Sequence, residues 1–432
     1  MLSRQERVQK IITNWALPIF FFLLPWQTRW IFGTELISGE VFEFGVLSLY
    51  ATEVFLLLIA IARLARLAPL APLHKSTIFR RTILILFIAA LSILHATNQP
   101  VALVQLMHLG FAMLLFLLLL DPEVKLKRVM IGFTAGLILP VALGVYQIVA
   151  GGSGESTLLG LAVRDAQLLG EAVVDLEGVR IMRAYGSFSH PNVFGGYLAV
   201  GLAGIVGLWH HTKSTSQKWL LGIASVLSTI GLVITFSRSA WLGIMFGLAL
   251  GALVLINKSA AQARRLVVPI SIIFIGLALA FSITAPLVAS RLHVSSILEQ
   301  RSVSERIVQY REFPSVIGSS WLFGRGLGNY PLIIAEVYPD REWWEYQPVH
   351  NVVLLIIGEI GVVGLIMILW WAGTIDKINY ARFPNPDAVT AFMMGSAVLV
   401  ILFFDHYIWS SWAGLALIAY VMAMTVRLGE ES

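Results

Sequence analysis

A histidine and an asparagine stand at the start of a long apolar segment in the last third of the chain. His350 and Asn351 follow a loop with many polar residues and precede a hydrophobic stretch. A neutral imidazole at such an edge can accept a proton from a hydroxyl nucleophile, because its pKa lies near neutrality. A single histidine at this position can also be a hydrogen-bonded structural residue. The residue type makes His350 a candidate general base and leaves the structural role open.

Two long loops, 151–189 and 290–347, contain several arginines and no lysine. A planar guanidinium binds phosphate oxygens in pairs. Arg238 stands alone in a tight turn between two apolar segments, where a half-buried arginine requires an anionic partner. Arg238 and Arg306 are the strongest candidates for binding an anion. The other arginines of the later loop could pair with carboxylates or extend toward water. These are Arg291, Arg301, Arg311, Arg325 and Arg341.

The sequence contains no persuasive metal or cofactor site. It has no cysteine, which excludes thiolate ligands and iron–sulfur clusters. Asp340 and Glu342 form a weak acidic pair, but no second acidic cluster accompanies them. The glycines at 324, 326 and 328 predict a turn and not a dinucleotide site, because no strand precedes them. We therefore expect chemistry that needs neither a metal nor a cofactor.

Two acidic residues, Glu53 and Glu359, fall inside apolar segments. An acid within a membrane is either a functional group or a hydrogen-bonding contact between helices, and the pattern leaves both roles open. Four residues near the C-terminus are predicted to be structural and to mark the outer turn between the last two spans. They are Asp405, His406, Trp409 and Trp412.

The composition indicates an all-α integral membrane protein. Of 432 residues, 58% are hydrophobic and 13% are charged, whereas soluble domains have about 25% charged residues. The mean hydropathy is +0.82. About twelve transmembrane helices are expected in a single membrane domain over 1–432. The basic residues separate apolar segments and form no patch, so nucleic acid is not an expected partner. The predicted spans are 11–32, 41–63, 82–98, 100–120, 128–150, 191–209, 219–236, 239–256, 266–289, 349–371, 387–404 and 408–426.

The distribution of cations predicts the topology. An orientation with both termini in the cytoplasm puts 19 of the 30 lysines and arginines inside and makes the 151–189 and 290–347 loops external. The first span lacks the small residues of a cleavage site and is expected to remain a helix. In the larger loop, Ser302 and Glu305 form a capping box. This predicts a short amphipathic helix that begins there, ends near Gly318 and lies on the outer membrane surface.

The segment that begins at His350 resembles a motif of bacterial O-antigen ligases. His350 and Asn351 are followed by nine residues, then Gly361, two residues and Gly364, as in the pattern His-Asn-x9-Gly-x-x-Gly. The similarity to the wider O-antigen ligase and polymerase superfamily covers about 185–370. The other segments that show this similarity are 187–192, 236–241, 305–306 and 324–330.

The resemblance implies a glycosyltransferase of the membrane-embedded GT-C type in lipopolysaccharide biosynthesis. It would lie in the bacterial inner membrane with its active site facing the periplasm. Its donor would be a glycan on undecaprenyl diphosphate. Its acceptor would be lipid A-core for a ligase, or a second lipid-linked repeat unit for a polymerase. His350 would be the catalytic base, Arg238 and Arg306 would bind the diphosphate, and the anomeric centre would invert. Possible supporting residues are Asn351, Tyr310, Arg311, Arg325, His190 and Asn192.

Proteins of other functional classes have the same hydropathy, so those functions stay open at this point. A flippase for lipid-linked oligosaccharides, another twelve-span transporter or a non-catalytic scaffold would each be membrane-embedded. Transporters usually carry internal repeats and polar sites at the membrane midplane. Here the best polar cluster is expected at the outer edge, which favours an interfacial enzyme. A ligase is preferred to a polymerase, and a protein O-glycosyltransferase is a further option.

Overall fold

Helices dominate the computed structural model, which describes residues 12–37, 39–64, 76–292 and 297–428. Nine helical segments in this part are long and apolar enough to cross a membrane. The prediction of a helical membrane protein is therefore confirmed. In chain order the helices are α1 (Leu17–Leu23), α2 (Ala51–Leu64), α3 (Thr77–Ser92), α4 (Gln99–Leu119), α5 (Leu126–Gly136), α6 (Ile138–Ala150), α7 (Pro191–His211), α8 (Thr215–Ile234), α9 (Arg238–Lys258), α10 (Ala260–Ile283), α11 (Ala285–Leu292), α12 (Ile297–Ile317), α13 (Tyr330–Val337), α14 (Val352–Tyr380), α15 (Pro386–Phe404), α16 (Tyr407–Ser410) and α17 (Trp412–Arg427).

A β-hairpin replaces parts of the first two predicted spans, so the bounds 11–32 and 41–63 were wrong. Strand β1 (Arg29–Ile37) pairs antiparallel with β2 (Glu40–Tyr50), and Gly39 makes the turn with a φ of +83°. Both strands are rich in β-branched and aromatic residues, which favour strands. A hydropathy average over a long window cannot distinguish an apolar strand followed by a helix from one continuous span.

The predicted number of twelve spans is not confirmed. The helices within the first, second and last predicted spans are shorter than the nine long ones. These three are α1, α2 and α17, and the last is separated from α15 by the one-turn helix α16. Two arginines and a lysine of the predicted cytoplasmic tail, Arg4, Arg7 and Lys10, lie outside the described residues, as do positions 65–75 of the next predicted cytoplasmic loop.

The two predicted external loops contain short elements of their own. The 151–189 loop forms two small antiparallel pairs, β3 (Gly152–Ser153) with β4 (Arg164–Asp165) and β5 (Val173–Leu176) with β6 (Val179–Met182). The 290–347 loop contains α11, α12 and α13, with 3₁₀ turns at Gly318–Leu322 and Trp343–Glu345.

The capping box predicted at Ser302 was wrong, although the predicted end of the helix near Gly318 is confirmed. Helix α12 already includes Ile297, so Ser302 lies inside it and caps nothing. The residues before Ser302 include Leu298 and Arg301, which favour helix and extend it toward the N-terminus. Residues 293–296 lie outside the described part of the chain.

Helix α7 forms the centre of the bundle and is buried along nearly its whole length. Its N-terminal end crosses α9 closely, because a Cβ built on Gly195 would lie 3.0 Å from the Cβ atoms of Ser237 and Ala240. Helix α9 in turn meets α15 at Gly243 and Gly247, where backbone carbonyls of α15 approach the glycines. Small residues permit such close helix contacts in membranes. The crossing brings the N-terminal ends of α7 and α9 together.

Segments predicted to share a membrane face do lie together. On the predicted outer side, the ring of Phe44 in the hairpin lies 5.5 Å from the ring of His406, which follows α15. On the predicted inner side, His211 at the end of α7 pairs with Asp387 at the start of α15. The assignment of these two faces to periplasm and cytoplasm stays a prediction.

Single cysteines in this cysteine-free chain test the topology. We expect Thr157→Cys and Ser319→Cys to react with a membrane-impermeant maleimide in intact cells, because both residues are exposed in the predicted external loops. Ser216→Cys, exposed at the start of α8, should react only after permeabilisation. Protection of both external positions together with labelling of position 216 in intact cells would reverse the orientation.

Candidate active site

His350 lies immediately before α14, where Asn351 caps the helix. Asn351 Oδ1 accepts a hydrogen bond from the backbone N–H of Leu354 at 3.1 Å, which satisfies one of the free donors of the first turn. Asn351 Nδ2 donates to the carbonyl oxygen of Phe403 at 3.4 Å. The structure therefore gives Asn351 a structural task, which is to fix the start of α14 and hence the position of the preceding imidazole.

Helix α12 holds the His350 ring in one orientation. Gln309 Oε1 accepts from the backbone N–H of His350 at 3.1 Å and lies 3.0 Å from its Nδ1 atom. Because an amide oxygen only accepts, Nδ1 carries the proton and Nε2 of the neutral ring retains a lone pair. The Tyr310 hydroxyl donates to the carbonyl oxygen of His350 at 3.4 Å. The ring can thus accept a proton at Nε2.

A second histidine, predicted to be structural, lies against the first. The rings of His350 and His406 are 5.0 Å apart and nearly perpendicular. His406 Nδ1 is 2.8 Å from Ser410 Oγ, and its backbone N–H donates to Asp405 Oδ1 at 2.9 Å. Asp405 and His406 were predicted from the sequence to be structural and to lie outside the candidate site. The available signal was an acid and a histidine together at the predicted outer membrane edge.

The start of α7 contributes a third histidine and an asparagine. His190 caps the helix, since its Nδ1 accepts from the backbone N–H of Asn192 at 3.1 Å. Asn192 Nδ2 donates to Asp405 Oδ2 at 2.6 Å, and Asn192 Oδ1 accepts from Arg183 Nη2 at 2.5 Å. Burial lowers the pKa of His190, and Arg183, His406 and His350 lower it further. The segment 187–192 thus links the histidines to an arginine.

The turn between α8 and α9 binds two buried arginines through its carbonyl groups. Arg183 Nε donates to the Thr235 carbonyl at 2.7 Å, and Arg291 Nε donates to the Phe236 carbonyl at 3.2 Å. Phe236 has a φ of +50°, in the left-handed region that non-glycine residues rarely adopt. The last carbonyls of a helix lack partners within it, so the two guanidinium groups supply hydrogen-bond donors to carbonyls at the C-terminal end of α8. Arg183 was not predicted to be a site residue. Arg291 was named only as one of the loop arginines that could pair with carboxylates or extend toward water.

Arg238 and Arg306 lie beside these two arginines. Arg238 is the first residue of α9, and its Nη1 donates to the carbonyl of Arg291 at 3.4 Å. Arg306 Nε is buried and makes no hydrogen bond with the described residues. Burial lowers the pKa of Arg291, and the charges of the other three arginines lower it further. We call Arg183, Arg238, Arg291 and Arg306 the arginine cluster.

The arginine cluster can bind an anion such as a diphosphate. Its four positive groups act on one another, and the Asp405 carboxylate acts on Arg183. The N-terminus of α9 adds the partial positive charge of a helix with unsatisfied N–H groups. Repulsion among these groups is relieved when a ligand with two or more negative charges binds between them.

The only metal-like group found among the described residues comprises His350, Asp405 and His406, with potential ligand atoms within 4.8 Å of one another. Both Asp405 oxygens already accept hydrogen bonds, from Asn192 and from the His406 backbone. The charge of Arg306 lowers the pKa of both histidines, and the same field repels a metal cation. The donor set therefore fits a cation poorly. The weaker pair, Asp340 and Glu342, is no site either, since Glu342 caps the Trp343–Glu345 turn.

Three other predicted residues show no contact with His350 in the described part of the chain. Arg325 forms an ion pair with Glu336 at 2.5 Å. Arg311 is exposed and makes no hydrogen bond or ion pair with the described residues. Glu359 accepts from Trp409 Nε1 at 2.7 Å, which is a contact between helices. None of these observations connects the three residues to His350.

The glycines of the predicted motif contact a turn and not a helix. Gly361 breaks α14 with a φ of +76°, and a Cβ there would lie 2.1 Å from the Leu322 carbonyl oxygen. Gly361 therefore gives room to the backbone of a turn and not to a neighbouring helix. A Cβ on Gly364 would meet only the side chain of Ile360. The backbone of the Gly318–Leu322 turn packs into this break.

Comparison with known proteins agrees with the motif. The model of the O-antigen ligase family matches residues 223–369, about a third of the chain. This confirms the resemblance to O-antigen ligases. The matched region includes Arg238, Arg306 and His350, but it excludes the start of α7 and the residues after α15 that contact His350. No individual curated protein matches the chain.

We expect the His350 imidazole to titrate below 6.5, because burial, His406 and Arg306 all lower its pKa. Arg306→Gln should raise this pKa by removing a positive neighbour of the imidazolium. Carbon-13 NMR of histidine-labelled protein in detergent measures the pKa of His350 in the wild type and in Arg306→Gln. The signal is assigned by its loss in His350→Gln. Arg301→Gln is the control, since Arg301 is exposed on the same helix and pairs with Glu305. A pKa at or above 6.5 that is insensitive to Arg306→Gln would contradict this electrostatic coupling.

Proposed function

Because residues 223–369 match the model of the O-antigen ligase family, we propose that the protein transfers a glycan from undecaprenyl diphosphate to a sugar hydroxyl. The transfer takes place on the periplasmic face of the bacterial inner membrane, in a GT-C-type bundle. The favoured acceptor is lipid A-core, which makes the protein an O-antigen ligase. A second lipid-linked repeat unit as acceptor would make it a polymerase, and the same site chemistry would serve.

The observation that carries the proposal is the arginine cluster beside an oriented histidine. When the glycosidic bond to the diphosphate breaks, negative charge develops on phosphate oxygens. Fixed guanidinium groups in a site of low dielectric stabilise that charge without a divalent ion. The diphosphate then leaves without protonation. The arginines thus take the place that a metal holds in other glycosyl transfers.

His350 acts as the general base in this proposal. Its Nε2 accepts the proton of the acceptor hydroxyl as the oxygen attacks the anomeric carbon, and Gln309 holds the ring through Nδ1. Attack opposite the leaving diphosphate inverts the anomeric centre. A transporter would need its polar site near the membrane midplane, and the cluster of histidines and arginines at helix ends gives less support to that function.

Reconstitution tests the proposed reaction. Purified protein with a glycan on undecaprenyl diphosphate should form product with lipid A-core, both with and without EDTA, because arginines supply the positive charge. A parallel reaction without lipid A-core shows whether a second donor molecule is used instead, which would favour polymerase. No product in either reaction would overturn glycosyl transfer. Activity that is lost in EDTA and restored by a divalent ion would make His350, Asp405 and His406 metal ligands.

Substitution of Arg238 or Arg306 by alanine should reduce transfer roughly 30- to 1,000-fold, since each removes a charged contact worth about 2–4 kcal/mol in the transition state. Lysine should restore only part of the rate, because it lacks the planar fork. Steady-state rates of the four variants measure this, with Arg301→Ala as the exposed control on α12. Wild-type rates in folded Arg238→Ala and Arg306→Ala would make these arginines structural.

His350→Ala should lower the transfer rate about 10²- to 10⁴-fold and leave donor binding nearly unchanged. The wild-type rate at subsaturating donor should fall with pH only below 6.5, because the base must be neutral and its folded pKa is lowered. Rates and donor affinities are measured side by side, with the exposed His95→Ala as control. Normal transfer by His350→Ala would refute the base, whereas lost donor binding would make His350 a phosphate ligand.

A further inference from the structure

A polar cavity of about 170 Å³ lies beside the histidines, between the β1–β2 hairpin, α4 and the 151–189 loop. Two of its lining residues contact His406. The ring of Phe44 is 5.5 Å from the His406 ring, and Ser410 Oγ is 2.8 Å from His406 Nδ1. The rings of His406 and His350 are 5.0 Å apart, so the cavity lies next to the histidine pair. We call this space the hairpin cavity.

Four charged side chains line the hairpin cavity, those of Arg29, Glu43, Arg164 and Glu359. Glu43 on β2 is exposed to solvent and makes no hydrogen bond or ion pair with the described residues. The charges of Arg164 and Arg29 act on its carboxylate. The two arginines have other contacts. Arg164 Nη2 donates to the Ser189 carbonyl at 3.1 Å, and Arg29 Nη1 donates to the Tyr50 hydroxyl at 3.4 Å.

Further polar and aromatic groups complete the lining. His108 lines the cavity and is held by Glu53, whose Oε1 is 2.6 Å from His108 Nδ1. This pair accounts for the acid noticed in the sequence at position 53. Tyr50 and Tyr185 also line the cavity, and Arg164 stacks on the Tyr185 ring at 4.2 Å. Hydrogen-bonding groups next to aromatic surfaces suit a ligand with hydroxyl groups and an apolar ring face.

The charges that line the cavity disfavour the other parts of the proposed substrates. A diphosphate would meet the Glu43 and Glu359 carboxylates beside the two arginines, whereas the arginine cluster offers it four guanidinium groups. A lipid chain would leave the charged groups without partners, which is costly. A neutral sugar leaves none of these groups unsatisfied, because a carboxylate accepts from adjacent hydroxyls and guanidinium groups donate to them.

We propose that the hairpin cavity binds one sugar unit of the acceptor, with the Glu43 carboxylate as its main hydrogen-bond acceptor. This inference rests on the proposed glycosyl transfer. It concerns the acceptor because the donor's diphosphate is assigned to the arginine cluster, whereas the cavity lies beside His406, whose ring is 5.0 Å from that of His350. An inverting attack needs the nucleophile and the leaving group on different sides of the anomeric carbon. Separate sites for the diphosphate and for the acceptor sugar are compatible with that requirement.

Direct binding separates this inference from the reaction itself. The probes are two dephosphorylated oligosaccharides, one from lipid A-core and one released from the lipid-linked repeat unit, so that neither can use the arginine cluster. Wild-type protein should bind at least one of them. Glu43→Gln, which keeps the side-chain volume, should weaken that binding about 10- to 100-fold by removing a charged acceptor. Glu40→Gln is the matched control, since Glu40 is exposed on the same strand and does not line the cavity.

The Michaelis constants provide the second measurement. Glu43→Gln should raise KM for the acceptor by a similar factor and leave KM for the lipid-linked donor unchanged, which also shows that the variant is folded. The inference is overturned if neither oligosaccharide binds, or if Glu43→Gln and wild type bind equally. Glu43-dependent binding in a protein that transfers no glycan would support the sugar site and overturn the proposed function. Glycan transfer by a protein whose oligosaccharide binding does not depend on Glu43 would support the proposed function and overturn the sugar site.

Discussion

Positive charge concentrated at the N-terminal ends of α7 and α9 is the constraint on which the rest of the structure depends. The charges of four guanidinium groups oppose one another, and burying them is unfavourable unless backbone or ligand groups compensate. The fold supplies the carbonyls of Thr235 and Phe236. It can present them only because the close contact at Gly195 brings the α8–α9 turn against the start of α7. In the proposed function the same arrangement binds the anionic ligand, so helix packing and anion binding would depend on one set of contacts.

The same field sets the protonation of the histidines. Arg306 and burial lower the pKa of His350, so the free protein holds a neutral imidazole that is able to accept a proton. A bound diphosphate cancels part of the arginine charge and makes imidazolium less unfavourable. In the proposed reaction the base therefore becomes stronger when the donor is present. Leaving-group stabilisation and base activation then depend on one set of charges, which explains why a single histidine suffices.

Sequence patterns predicted what depends on local composition and missed what depends on packing. Long apolar helices, the two polar loops and the candidates Arg238, Arg306 and His350 follow from hydropathy, charge and a motif. The β1–β2 hairpin was missed because an apolar strand and an apolar span look alike to a hydropathy average. His406 was missed because its proximity to His350 arises from the packing of α14, α15 and α16, and no spacing in the sequence reports that. Arg183 lies more than 160 residues before His350, and only the three-dimensional contact through Asn192 and Asp405 connects them.

The division of the site between matched and unmatched regions has a chemical meaning. Arg238, Arg306 and His350, to which leaving-group stabilisation and proton removal are assigned, lie within the 223–369 region that matches the O-antigen ligase family. Three of the four charged residues that line the hairpin cavity, Glu43, Arg29 and Arg164, lie outside this region, and Glu359 lies inside it. In the proposed reaction the first set acts on the leaving diphosphate and on the attacking hydroxyl, whatever the acceptor. In the proposed acceptor site Glu43, Arg29 and Arg164 would contact the sugar that receives the glycan. A different acceptor would then require changes in the hairpin and in the 151–189 loop, and Arg238, Arg306 and His350 could remain as they are.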